Sequence, residues 1–128
     1  MKLVLFSLFF TLSPLVHAQT SVVPFTVKNH AGAQILADSK GRTLYVFDRD
    51  SGSISNCYNG CATEWPPSLL TDNSVQSVSA PLGTTLRKDQ TVQITYDGRP
   101  VYLYLDDQTA DDAQGDGLGG IWHVIQVK

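Results

Sequence analysis

The sequence predicts a mostly β fold: two related β-hairpin units packed as one small domain, with at most a short helical turn near residues 61–65. Three observations carry that expectation. A block of residues recurs at a fixed offset, turn residues stand between apolar runs in both copies, and no window sustains the apolar period of a helix.

The recurrence needs no gap. Residues 41–65 set against 98–122 give six identities in 25 positions: Gly41, Arg42, Tyr45, Asp50, Gly60 and Trp65 fall on Gly98, Arg99, Tyr102, Asp107, Gly117 and Trp122. Ordinary composition would give about one or two. The only two tryptophans of the chain coincide, and Leu44, Val46 and Phe47 fall on Val101, Leu103 and Tyr104. The repeated units are placed at about residues 34–67 and 91–127.

Taken from the N-terminus, Lys2, the apolar run Leu3–Leu12 and the small residue closing Val16-His17-Ala18 read as a secretory signal over residues 1–18. The run is too short for a membrane span, which needs about 20 apolar residues. No cysteine stands near Ala18 to accept a lipid, so the expectation is an exported domain over residues 19–128, periplasmic or secreted, with no lipid anchor and no transmembrane segment after cleavage. Val23, Phe25 and Val27 alternate as a strand does. The first hairpin is expected from Ile35–Asp38, a Ser39-Lys40-Gly41 turn, and Thr43–Phe47. Cys61–Trp65, stopped by Pro66-Pro67, is the one helical candidate. Residues 68–83 read as a surface connection with at most an edge strand near Val75–Val78.

In the second unit Val92–Tyr96 and Val101–Leu105 flank Asp97-Gly98, the pair that best supplies two positive φ angles to a type I′ turn. That loop pairs Ile94 with Val101 and Val92 with Leu103 on an aliphatic face, and Gln93 with Tyr102 and Thr91 with Tyr104 on a half-polar one. Ile121–Val127 reads as a last strand with Ile121, His123, Ile125 and Val127 on one side. His30 falls in a loop.

Of 128 residues 42% are hydrophobic and 16% charged, with nine Lys plus Arg against twelve Asp plus Glu. Disorder and low complexity are excluded, and nine scattered cations assemble no nucleic-acid face. Removal of residues 1–18 takes Lys2 and no acid, leaving 8 cations, 12 anions and a net charge of −4.

Cys57 and Cys61, separated by Tyr58-Asn59-Gly60, most simply form a local disulfide in an exported chain. A redox-active pair, a thiolate metal site and haem attachment compete with it. Haem fits least, because Ala62 stands where attachment wants a histidine, and a thiolate metal site would need two further ligands. Residues 106–117 hold five carboxylates, and no Lys or Arg occurs between Pro100 and Val127. Calcium or a transition metal would draw on Asp107, Asp111, Asp112, Asp116 and His123, but the spacing does not match a calcium loop of the EF-hand type, and a solvated acidic loop is the simpler reading.

Tyr45, Phe47, Tyr102 and Tyr104 are first of all cross-strand packing residues. Asp50 and Asp107, three positions past Phe47 and Tyr104, are expected to accept backbone N–H bonds. Trp65 and Trp122 are expected to plug the ends of the core. No nucleophile joins a base and an acid, no phosphate loop appears, and the chain after residue 18 holds no methionine for a blue-copper site.

The segments Leu44–Asp50, Cys61–Pro67, Tyr96–Asp107 and Gly120–Trp122 resemble, in order over about residues 34–127, a bacterial secreted-repeat family. Its members include predicted lipoproteins with a Tyr-x-(Phe/Trp/Tyr)-x-x-Asp motif. The resemblance implies an exported β-rich repeat domain and no assigned activity. Two departures stand out: there is no lipobox cysteine, and Ala110-Asp111-Asp112 replaces the usual glycine before aspartate. The functional expectation is an exported, non-catalytic binding or envelope-associated module with no cofactor, whose partner is an envelope protein or a small ligand. A periplasmic redox or metal-handling accessory protein is the rival, and a small hydrolase using Asp50 or Asp107 the third reading.

Overall fold

The computed structural model describes residues 3–5, 7–14, 25–70 and 78–128. The expected cleavage point after Ala18, Val23, and the strand near Val75–Val78 up to residue 77 lie outside them. Residues 3–5 and 7–14 form no helix or strand, and Leu3, Phe9 and Leu12 are exposed. Among the described residues no helix is long and apolar enough to cross a membrane.

The domain is mostly β, as expected. Strands β1 (Phe25–His30) and β2 (Ala33–Asp38) form an antiparallel hairpin, with Phe25 opposite Asp38 and His30 opposite Ala33. Its turn is Ala31-Gly32, both at positive φ, so His30 ends a strand and is not in a loop. The chain turns back at Ser39–Gly41 and β3 (Tyr45–Phe47) follows. Helix α1 (Gly60–Glu64) is the expected helical turn, ending before Pro66. The second unit has β4 (Leu82–Leu86), β5 (Val92–Tyr96) and β6 (Arg99–Pro100), then a 3-10 turn at Leu118–Gly120 and β7 (Trp122–Val124). Asp97 and Gly98 both have positive φ, and Tyr96–Arg99 and Thr95–Pro100 pair as a two-residue loop requires.

Beyond that turn the expected register fails. Ile94 and Val101 stay together through Val101 N–H to the Ile94 carbonyl at 3.1 Å, but Tyr102 leaves to pair with Tyr45 and Pro67. Gln93 pairs with Leu69, and Leu103 N–H reaches the Pro66 carbonyl, so neither Gln93–Tyr102 nor Val92–Leu103 nor Thr91–Tyr104 forms as a strand pair. Residues 68–70, expected as loop, thus run beside β5, and β4 begins at Leu82 inside the expected connection. The last strand is broken too. Trp122–Val124 pairs with β3, whereas Gln126 pairs with Ile35 on β2. That change of partner separates His123 from Ile125.

These pairings are related by an approximate two-fold axis. Tyr45 and Tyr102 exchange N–H···O bonds of 2.9 Å in both directions, and the axis passes between them. Each pairing has a mate about 57 residues on: Leu36 N–H to the Ile125 carbonyl matches Ile94 N–H to the Ser68 carbonyl, both at 2.9 Å. Val127 N–H to Gln34 matches Leu70 N–H to Val92, again both at 2.9 Å. The tail of each unit therefore lies against the hairpin of the other.

Two cores straddle the axis. The aliphatic one holds Leu36, Leu44, Val46, Leu82, Ile94, Val101 and Ile125. The aromatic one holds Tyr45, Phe47, Cys57, Trp65, Tyr102 and Trp122. Tyr45 and Tyr102 are fully buried, so the face expected to be half-polar is an interior, because the hairpin strands part there and close on each other.

Candidate functional site

The two tryptophans do not plug opposite ends of a core. They meet face to face across the axis, ring centroids 3.8 Å apart and planes within 1°. Phe47 extends the stack beyond Trp122 at 4.1 Å, and Tyr104 extends it beyond Trp65 at 4.2 Å. Each indole also packs at right angles against a tyrosine of its own unit: Tyr45 against Trp65 at 5.3 Å and 82°, Tyr102 against Trp122 at 5.2 Å and 89°. Edge-to-face contacts let a positive ring edge meet a negative ring face.

The same tyrosines bind the units through their hydroxyls. Tyr45 donates to Asp107 Oδ2 at 2.6 Å, and Tyr102 donates to Asp50 Oδ2 at 2.8 Å. Burial, then the aspartate, holds the Tyr45 hydroxyl far above its ordinary pKa; burial does the same for Tyr102. Both remain protonated donors at physiological pH. The other carboxylate oxygens take backbone N–H groups as expected, Asp50 from Asn56 at 2.8 Å and Asp107 from Gln114 at 2.9 Å.

A buried arginine, missed in the sequence because it stands outside the repeated block, ties the cysteine loop to the second unit. Arg87 is 2% exposed and donates to Ser55 Oγ, Gln93 Oε1 and the Cys57 carbonyl at 2.9, 2.8 and 2.7 Å. Its guanidinium lies 4.3 Å from the Tyr58 ring centre, while its buried Nε has no hydrogen-bond partner among the described residues and stands 3.8 Å from Asp89. Ser55 Oγ in turn lies 2.7 Å from the Tyr102 hydroxyl. A polar chain thus runs from Arg87 through Ser55 and Tyr102 to Asp50.

Burial raises the Asp50 pKa above the ordinary 3.8 despite bonds from Asn56 and Tyr102 that oppose it. A raised folded-state pKa means that the native protein binds the proton more tightly than the unfolded chain, so this group favours folding at low pH and the gain is lost as pH rises through the folded value. Asp50→Asn is expected to flatten that fall, seen as a smaller Tm difference between pH 4 and pH 7 than in the unsubstituted protein. Asp48, Asp89 and Asp112 have lowered values, chiefly through bonds to His123, Thr91 and the Gln108 backbone, and act in the opposite direction below the ordinary aspartate range.

Cys57 and Cys61 form the expected disulfide, with Cα atoms 5.3 Å apart. Cys57 is buried and Cys61 half-buried. So small a ring constrains little of the unfolded chain, so reduction is expected to cost about 2 kcal/mol. Melting curves with and without a phosphine reductant check this; superimposable curves would mean that the Arg87 contacts alone hold the loop.

The acidic residues proposed as metal ligands do not converge. Asp112 Oδ2 accepts N–H bonds from Gln108 and Thr109, Asp116 Oδ1 accepts from Val124, and Asp107 is occupied as above, while Asp111 is exposed. His123 lies half-exposed on β7 and not on an apolar face, its Nε2 2.7 Å from Asp48 Oδ2. Among the described residues no three His, Cys, Asp or Glu side chains are grouped to hold a metal ion.

Beside the stacked indoles, a groove of about 390 Å³ is lined by Phe47, Arg49, Asn56, Cys61, Glu64, Trp65, Ile121 and Trp122. Asn56 Nδ2 donates to the Arg49 carbonyl at 2.7 Å, and Leu105 N–H donates to the Glu64 carbonyl at 2.9 Å, fixing the backbone beneath both charged residues.

A family model described as a secreted repeat of unknown function matches this chain twice, over residues 26–68 and 83–126. The chain belongs to that family. The second match in this secreted-repeat protein starts 57 residues after the first, the offset that relates the paired strands and the two tryptophans. Each match also begins earlier than the sequence motif, at a hairpin's outer strand, β1 or β4. No curated protein and no solved structure matches the chain.

Proposed function

We propose that this secreted repeat is a non-catalytic binding module that seats a small ligand in the groove beside its stacked indoles. One observation carries the reading: the residues the units share join them across the axis, and the charged and polar residues that line the groove are ones they do not share. Tyr45, Tyr102, Asp50, Asp107, Trp65 and Trp122 all bond or stack across the axis. At the rim, by contrast, Arg49, Asn56, Cys61 and Glu64 align with Asp106, Ala113, Leu118 and Ile121. A volume of about 390 Å³, apolar lining residues and a few polar groups are what a small-molecule site requires. The carboxylates that would serve a hydrolase are instead engaged by tyrosine hydroxyls and backbone N–H groups.

The test is a screen of small mixed polar–apolar fragments against the isotopically labelled exported protein, read at the indole N–H resonances of Trp65 and Trp122. Saturable shifts of these signals are expected. Fragments that cluster instead at the smaller hollow lined by Tyr96, Arg99 and His123, or at that lined by Arg42, Pro66 and Tyr104, would overturn the assignment.

A further inference from the structure

The chemistry of the groove specifies its occupant further, on the premise that it is the binding site. Arg49 and Glu64 are exposed residues of opposite charge on the same rim. Among the described residues neither has an ion-pair partner, although Arg42, Arg87, Arg99 and His123 are each engaged by an aspartate. Both stand on backbone that is already fixed, Arg49 by the Asn56 side chain and Glu64 by α1 and its bond from Leu105. Two anchored, unengaged charges of opposite sign will hold a ligand that carries both signs better than one that carries either, because each single-charge ligand leaves one rim group unused. The same groove is lined by Phe47, Ile121 and the two indoles, side chains suited to a flat apolar group.

We infer that the groove binds an α-amino-acid zwitterion with an aromatic side chain: its carboxylate on Arg49, its ammonium on Glu64, its ring against Ile121, Phe47 and the indoles. The arginine fork donates two parallel N–H bonds to a carboxylate. Copy divergence supports the assignment, since the unit mates of Arg49 and Glu64 are Asp106 and Ile121, and Asp106 is bonded to the Tyr104 hydroxyl at 3.1 Å. The unlike charges are therefore presented by one unit alone.

The experiment titrates the exported protein at neutral pH with phenylalanine, 3-phenylpropionate and phenethylamine, following the two indole N–H signals. Phenylalanine is expected to bind at least about tenfold more tightly than either single-charge analogue, a ratio that corresponds to about 1.4 kcal/mol. Arg49→Gln is expected to remove the advantage over phenethylamine, and Glu64→Gln the advantage over 3-phenylpropionate. Both side chains are exposed, so an unchanged melting temperature separates a binding effect from misfolding. Equal affinity for all three compounds, or binding of phenylalanine that survives both substitutions unchanged, would overturn the charge assignment and leave the groove standing as a site. Absence of any shift with all three would overturn the zwitterion, and an empty fragment screen beside it would overturn the groove as well.

Discussion

Alanine at Trp65 or at Trp122 is expected to lower stability by about 4 kcal/mol, the usual cost of emptying a large aromatic site from a core. For a domain of this size that is a large part of the total stability, so both variants are expected to melt far below the parent. Each indole is 4–5% exposed and stacked on both faces, and it loses one of those two partners when the other tryptophan goes. The losses are therefore not additive. A double-mutant cycle in urea is expected to show coupling of about 1 kcal/mol between the two positions, beyond the area each buries. Single losses below 1 kcal/mol with strict additivity would refute the face-to-face arrangement.

Gly115→Ala is expected to cost about 3 kcal/mol, for a reason confined to space. A Cβ at residue 115 would lie 2.5 Å from Cη2 and 2.8 Å from Cζ3 of Trp65 and 3.1 Å from Cγ of Tyr104. All three belong to the ring stack, which has no room to retreat, and overpacking a full core is penalised on that scale. The same residue gives its N–H to the Tyr45 hydroxyl at 3.2 Å, so a shift that relieves the clash disturbs the bond between units. Gly60→Ala is the control. Nothing lies within 4 Å of its added methyl, and it opens α1, where alanine is the better helix former. Thermal melts are expected to show a large drop for the first variant and none for the second; equal Tm values would refute the clash.

The repeat was legible because each unit writes the same interior into the chain. Tyr45 and Tyr102, Asp50 and Asp107, and Trp65 and Trp122 stand at one offset, and a constraint acting on both sides of an axis leaves that trace. Asp97-Gly98 was legible because turn chemistry is local. What the sequence hid is non-local. The pairing of Leu69 with Gln93, and of Gln126 with Ile35, follows from the axis, since no local pattern in residues 68–70 or 125–127 names the partner strand. β4 was overlooked because Leu-Gly-Thr-Thr-Leu carries a glycine and threonines, which read as a linker until β5 lies beside it. Arg87 gave no signal at all, since a surface arginine and a buried one are spelled alike. His123 was misjudged because alternation was extended through a strand that changes partner after Val124.

The crossing of the two tails has a bearing on how such chains can lengthen. A lone copy would have an unfilled hairpin edge and half of a ring stack, and it could complete itself only by clasping a twin. Growth by single copies would leave an odd one exposed at the end, whereas growth by pairs closes every time. The indivisible building block in this architecture is thus the couple, and longer relatives assembled on the same plan would carry even numbers of copies.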